Sequence, residues 1–258
     1  MKKSLRELCT AIAICFCATG NLFATDNQIN TDHTMDKNLN LIKEWDKVFP
    51  QSDKVSHSKV TFRNRYGITL AADMYKPKHA DGKLPAIAIS GPFGAVKEQS
   101  SGLYAQKLAE RGFLTIAFDP SYTGESGGEP RYVASPDINT EDFSAAVDYL
   151  STRDDVDAER IGILGICGWG GMALNAAAID TRIKATVTAT MYDMSRVNAN
   201  GYFDSMNADA RHELRRQLNA QRTEDYRNGT FALGGGVVDP LPADAPQFVN
   251  CLLYTSPS

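Results

Sequence analysis

The stretch that most narrows what this chain can fold into is Ile161-Gly-Ile-Leu-Gly-Ile-Cys167-Gly-Trp-Gly-Gly171, followed at once by Met172-Ala-Leu-Asn-Ala-Ala-Ala-Ile179. A short apolar run rich in isoleucine is the mark of a strand buried on both faces, and the alanine-rich run is a strong helix former. The glycines between them leave room for one tight turn. A strand that runs straight into a helix belongs to a parallel sheet with crossover connections. Further runs of the same buried type stand at Ala86 to Ser90, Leu114 to Phe118 and Ala185 to Thr190. Helical patterns alternate with them. One helix carries Leu103, Tyr104 and Leu108 and ends at Gly112, a natural residue for the position after a helix terminus. Another begins near Asn139, with Phe143, Ala146, Val147 and Leu150 at i, i+3, i+4 and i+7. Upstream, Lys59 to Arg63 and Thr69 to Tyr75 flank a turn at Tyr66-Gly67 and read as an antiparallel hairpin. The expected architecture is α/β: a three-layer sandwich on a mostly parallel sheet led by that hairpin.

The chemistry of the turn is sharper than its geometry. A tight strand-to-helix turn lifts one side chain above the sheet, and small neighbours avoid a clash. Cys167 holds the raised position, with Gly165 two residues before it. The Gly168 N–H points at the oxygen of an attacked carbonyl, and the helix N-terminus beneath the sulfur favours thiolate. The bland reading makes Cys167 a small buried residue at a turn. Trp169 departs from the pattern, because a small residue usually stands there; Gly170 and Gly171 supply the clearance in its place. A rival reading uses the same residues. Gly168-Trp-Gly170-Gly-Met-Ala173 matches a dinucleotide fingerprint, with Asp193 about 20 residues on. Against it, the motif follows a hairpin and two βα units, whereas the fingerprint belongs to the first strand of its fold.

Composition matters where it limits partners and compartment. At 43% apolar and 22% charged, 258 residues make an ordinary globular chain. Residues 1–24 read as a secretory signal: Lys2, Lys3 and Arg6, then an apolar run from Leu8 to about Cys17, then a small-residue cleavage site at Leu22-Phe-Ala24. The apolar run falls short of the roughly 20 residues that span a bilayer. Removing the signal takes away three cations and Glu7, moving the net charge from −4 to −6. That excludes the clustered basic face that nucleic acid requires. Cys9, Cys15 and Cys17 leave with the signal, so Cys167 is no part of a disulfide framework and calls for a chemical role.

These residues resemble the α/β-hydrolase superfamily, most closely the bacterial branch near dienelactone hydrolases, cocaine-esterase-like enzymes and X-prolyl dipeptidyl peptidases. The likeness runs from about Phe49 to Phe248. It rests on Asn64-Arg-Tyr-Gly-Ile-Thr-Leu70, on Gly91-Pro-Phe-Gly-Ala-Val-Lys-Glu-Gln99, on Phe118-Asp-Pro-Ser-Tyr-Thr-Gly-Glu-Ser-Gly-Gly-Glu-Pro-Arg131 and on the turn at Cys167. The resemblance implies a second oxyanion donor in the loop after the third strand. Pro92 has no N–H, so that donor is Phe93 or Gly94. It implies a loop from Asp119 that shapes the floor of the site. It also implies a glutamate able to interact with the thiol, for which Glu98 is the candidate.

In such a fold the acid and histidine follow the nucleophile. Of His33, His57, His79 and His212, only His212 does so, and it sits in the polar, helix-prone stretch Ala210-Arg-His212-Glu-Leu-Arg-Arg216. The organisation expected is a signal over 1–24, a polar segment over 25–54, the core over 55–193 and a helical insertion over 194–250. The insertion reads as a solvated helix, or as a lid with Tyr202, Phe203 and Met206 facing a pocket. Residues 251–258, Cys251-Leu-Leu-Tyr-Thr-Ser-Pro-Ser258, read as a non-native tail of a broken reading frame, with the last two strands, the acid and the histidine missing. The expected function is an exported hydrolase of carboxylic esters, lactones or thioesters acting through acyl-Cys167, inactive in this truncated form. Its partner is a small acyl substrate, and no metal or organic cofactor is called for. The alternative is a non-catalytic exported ligand-binding protein, with peptidase and acyl-transfer activities also open because the pocket and lid set the substrate.

Overall fold

The computed structural model describes residues 39–232. The expectations for the signal, for residues 25–38 and for the tail lie outside them. The hairpin forms between β1 (Val55–Arg63) and β2 (Thr69–Pro77). Its turn is set by Asn64, whose Oδ1 accepts the N–H groups of Tyr66 and Ile68, both at 3.0 Å, while Gly67 takes φ +80. There follow β3 (Leu84–Ser90), α1 (Ser100–Ala109), β4 (Leu114–Phe118), α2 (Pro136–Ser151), β5 (Val156–Ile166), α3 (Trp169–Ile179) and β6 (Ile183–Ala189).

The sheet order is β1-β2-β4-β3-β5-β6, with β1, β2 and β4 mutually antiparallel at their contacts and β4, β3, β5 and β6 parallel. From β3 the chain steps to one side through α1, then crosses back over β3 through α2 to reach β5. Right-handed crossovers therefore put α1 on one face and α2 with α3 on the other. The loops after β3 and β5 part at this reversal, where a parallel sheet opens its ligand crevice.

Strand alternation divides the core between the two faces. Ala88, Ile116 and Ile163 face α2 and α3 with Phe62, Leu70, Phe143, Leu150 and Met172. Ile89, Ala117 and Leu164 face α1 with Phe49, Tyr75, Ala105 and Ala109. Phe143 is fully buried and meets Phe118 edge-on at 5.2 Å. The segment before β1, polar in sequence, is packed: Phe49 is buried and the Trp45 indole N–H donates to its carbonyl at 2.9 Å.

Three boundaries differ from the pattern-based reading. Helix α2 begins at Pro136, earlier than Asn139, because proline's fixed φ suits the first helical position and Asn139 serves as a capping acceptor for the Ser135 N–H at 2.8 Å. Helix α1 stops at Ala109, with Gly112 in the left-handed region beyond it. Strand β5 starts at Val156 because its first residues join Leu84 across a bulge before the regular register begins at Ile161.

Helix α1 leaves the same face of β5 and β6 uncovered. There Ile87, Leu103, Leu108, Leu164 and Val187 line an open apolar groove of about 1020 Å³. Beyond β6 come α4 (Met194–Asn200), a 3-10 turn (Tyr202–Asp204) and α5 (Ala208–Asn228), none with a buried residue. Helix α5 is capped by Asn207, whose side chain accepts the Ala210 N–H at 2.9 Å, and carries the pairs Arg216 with Glu213 and Arg227 with Glu224. This is a solvated helix. Phe203 is 90% exposed, so it does not fill the pocket-facing place the lid reading gave it, whereas Tyr202 meets the Tyr192 ring edge-on at 6.4 Å.

Candidate active site

Strand β5 delivers Cys167 to the turn in a conformation few side chains adopt, φ +56. Three hydrogen bonds hold it there. The Cys167 N–H donates to the Ala189 carbonyl at 2.9 Å, and its own carbonyl accepts from Gly170 at 3.0 Å and Tyr192 at 3.2 Å. Such strain persists only where the surroundings over-determine it, which is the rule at functional turns. The thiol is partly exposed.

Glycine is obligatory around it. A Cβ on Gly165 would stand 2.3 Å from the Trp169 carbonyl oxygen and 2.8 Å from the Gly170 Cα. A Cβ on Gly91 would stand 2.4 Å from the Ile166 carbonyl oxygen, and Gly91 has φ +99. Trp169 is accommodated by turning inward: it is buried, with its ring centroid 5.5 Å from that of Phe93.

Phe93 and Gly168 lie side by side. A Cβ on Gly168 would lie 3.4 Å from the Phe93 Cβ and 2.8 Å from the Met194 Cγ, so the Phe93 loop and the start of α4 frame the Gly168 backbone. Gly94, at φ +79, follows directly after the cis Gly91-Pro92 peptide and Phe93. Among the described residues the N–H groups of Phe93, Gly94 and Gly168 make no hydrogen bond, which leaves them free for an anionic oxygen. The arrangement places a sulfur nucleophile next to the Gly168 amide, with the Phe93 loop packed beside it.

Glu98 is held by two lysines. Its carboxylate accepts from Lys97 Nζ at 2.6 Å and lies 3.5 Å from Lys59 Nζ. Burial pushes its pKa above the ordinary carboxylate range, and the Asp119 charge adds to that. Asp46, Glu98 and Glu125 stand close enough to share a cation, but the ammonium groups of Lys59 and Lys97 already fill that role: Lys97 Nζ is 2.7 Å from Glu125 and Lys59 Nζ 2.5 Å. Asp119, fully buried, accepts the N–H groups of Lys97 at 2.8 Å and Glu125 at 2.9 Å. Its loop is thereby tied to the loop after β3.

One pair escaped sequence reasoning. His57 Nε2 lies 2.7 Å from Asp73 Oδ1, with the imidazole between Trp45 and Tyr75 and Lys47 Nζ 3.1 Å from the other Asp73 oxygen. Burial opposes the Asp73 charge, yet the His57 hydrogen bond and Lys47 hold its pKa below the ordinary range. It looks like half a triad, but β1 is four places from β5 in the sheet, roughly 19 Å at about 4.8 Å per strand. That distance removes it from the chemistry of Cys167. His79 and His212 are exposed, the latter on α5. Among the described residues no histidine serves Cys167.

Residues 66–232 match the family described as X-Pro dipeptidyl-peptidase (S15 family). The chain belongs to that family. Its glycine-rich turn lies on the fifth strand of a hydrolase sheet, and the dinucleotide reading falls with this placement. The chain is 63% identical over 222 residues to the uncharacterized protein PA2218 of Pseudomonas aeruginosa, covering 86% of this chain and 59% of that one. The crystal structure of the PA2218 protein superposes with a TM-score of 0.80 over 84% of this chain and 67% of that chain, at 62% identity. A thiohydrolase, aneE, from Aspergillus aculeatus is 31% identical over 137 residues, 53% of this chain and 42% of that enzyme. The α/β hydrolase GrgF from a Penicillium species shares the fold, at a TM-score of 0.63 and 22% identity over 77% of this chain and 65% of its own. The chain thus has an α/β-hydrolase fold and hydrolase relatives, and it spans about three-fifths of the length of the PA2218 protein.

Proposed function

We propose that this protein is an acyl-group hydrolase in which Cys167 attacks the carbonyl carbon of a carboxylic ester, lactone or thioester. A carbon–sulfur bond forms as the carbonyl electron pair moves onto oxygen. The Gly168 N–H and that of Phe93 or Gly94 receive the oxyanion. Collapse breaks the bond to the leaving group, which departs as alkoxide or thiolate, takes a proton from water and leaves acyl-Cys167. The observation that carries the reading is the strained Cys167 at φ +56 beside three unengaged amide donors.

Thioesters lead the substrate list because a thiohydrolase is among the relatives and because thiolate leaves readily from a tetrahedral intermediate. Hydrolysis of the acyl-enzyme needs a base, and no described histidine reaches Cys167. Acylation of Cys167 is therefore the step that the described residues support. Export through residues 1–24 is part of the same reading.

The test is intact-mass and peptide mass spectrometry after treatment with p-nitrophenyl acetate or an acetyl thioester. One acetyl group on the Cys167 peptide is expected, absent from Cys167→Ala. Equal labelling of the variant would reject the assignment and favour the non-catalytic binding protein.

A further inference from the structure

We infer that Lys97 is a positioning residue: its buried ammonium clamps the oxyanion loop after β3 to the loop after β4. The inference rests on the acyl-hydrolase reading and deepens it. The loop 91–99 is anchored at both ends. At its start, Gly91 is pressed against the Ile166 carbonyl, where a Cβ would stand at 2.4 Å, and against the Trp169 Cβ at 2.9 Å. Those contacts fix it to the strand end that carries Cys167. At its far end Lys97 is fully buried, and its three N–H donors meet three carboxylates: Glu98 at 2.6 Å, Glu125 at 2.7 Å and Asp119 at 2.8 Å. The Lys97 backbone N–H adds a fourth tie, to the second Asp119 oxygen at 2.8 Å.

The shell that receives Lys97 is itself rigid. Gly124 packs so closely on Asp119 that a Cβ would stand 2.3 Å from the carboxylate, and Glu125 is also held by Lys59 and by the Ile42 N–H. Phe93 and Gly94 hang between the two anchors, with their donors free. A buried ammonium is expensive, and an apolar side chain of equal volume would tie the loops without removing a charge from water. What the ammonium adds is direction, since its charge-assisted bonds to Asp119 and Glu125 cross to the loop after β4 while Glu98 holds it within its own loop. For an oxyanion donor, direction decides the rate.

The experiment compares two reactions of the same sulfur. Acylation by p-nitrophenyl acetate builds an oxyanion; alkylation by iodoacetamide builds none. Their ratio at Cys167, read by peptide mass spectrometry, isolates the donors from thiolate content. Lys97→Met should lower the ratio by about tenfold or more, a part of the roughly 10²–10³-fold loss when one oxyanion donor is removed outright. Glu125→Gln, which spares the ammonium and two of its partners, should lower it by a smaller factor and keeps the test open if Lys97→Met does not fold. A ratio equal to wild type in the folded variant overturns the role of Lys97. A wild-type ratio no higher than that of a free thiol such as glutathione overturns the hydrolase reading as well, and the two failures are thus told apart.

Discussion

Substituting Gly165 with alanine tests the link between the turn's packing and its chemistry. The added Cβ would stand 2.3 Å from the Trp169 carbonyl oxygen, 2.7 Å from its carbonyl carbon and 2.8 Å from the Gly170 Cα. All three are backbone atoms at the head of α3, so no rotamer change relieves the clash. An ordinary contact needs about 3.3 Å or more, and the first turn of α3 must retreat by roughly 1 Å. Overpacking of this kind costs about 1–3 kcal/mol, and the upper end applies because the obstacle is main chain. For a domain of this size that is a fall in Tm of roughly 6–12 °C. The same movement carries the Gly168 N–H and Cys167 off their positions, and about 1 Å of misplacement is worth on the order of 10²-fold in rate. Thermal unfolding and the rate of Cys167 acetylation are the two readings. Gly67→Ala is the control: it has φ +80 but open space around its Cβ, so it should cost about 1–2 kcal/mol and leave acetylation unchanged. A Gly165→Ala protein that keeps wild-type Tm and acetylation would refute the reasoning.

Further outcomes follow from other parts of the molecule. Phe143→Ala, which empties a fully buried ring site beside Phe118, should cost about 3–5 kcal/mol by denaturant titration. His57→Gln should lower stability yet leave Cys167 acetylation intact; loss of acetylation in a folded variant would put the His57–Asp73 pair back into the chemistry. Burial opposes the Asp155 charge, but Arg153 and Lys76 outweigh it and hold its pKa at about 2. A depressed carboxyl adds stability above its unfolded value near 3.8 and loses it as pH falls through about 2. Asp155→Asn should accordingly flatten the acid limb of the stability profile in that window while changing little of its slope above pH 5. The groove around Val187 should bind the dye ANS, and Val187→Lys should weaken that fluorescence; an unchanged signal would place the dye elsewhere.

Much of the fold was legible because its signals are local. Isoleucine-rich runs mark buried strands wherever they stand, and the glycines around Cys167 mark a turn that only a strand-to-helix junction uses. The candidate site's sulfur and its Gly168 donor came from that one stretch, and Phe93 and Gly94 came from the resemblance together with the chemistry of Pro92. Helix ends were less legible: Pro136 opens α2 through a fixed φ that a periodic pattern does not carry, and α1 stops at Ala109, short of Gly112.

What the tertiary structure alone decided is everything that depends on residues far apart in the chain. The order β1-β2-β4-β3-β5-β6 sets β3 beside β5, so that the loops after them flank one crevice, and no spacing in the sequence contains it. Lys97 and Lys47 are buried, because carboxylates from Asp119, Glu125, Asp73 and Asp46 close around them after folding. The need for glycine at position 91 is set by the Ile166 carbonyl, 75 residues away in the chain. His57 and Asp73 meet only through the β1–β2 register, in which the partner of His57 is Tyr75. Propensity and periodicity act over a few residues and can be read from the chain; charge burial and close approach depend on which distant groups arrive, and that is settled only when the sheet assembles.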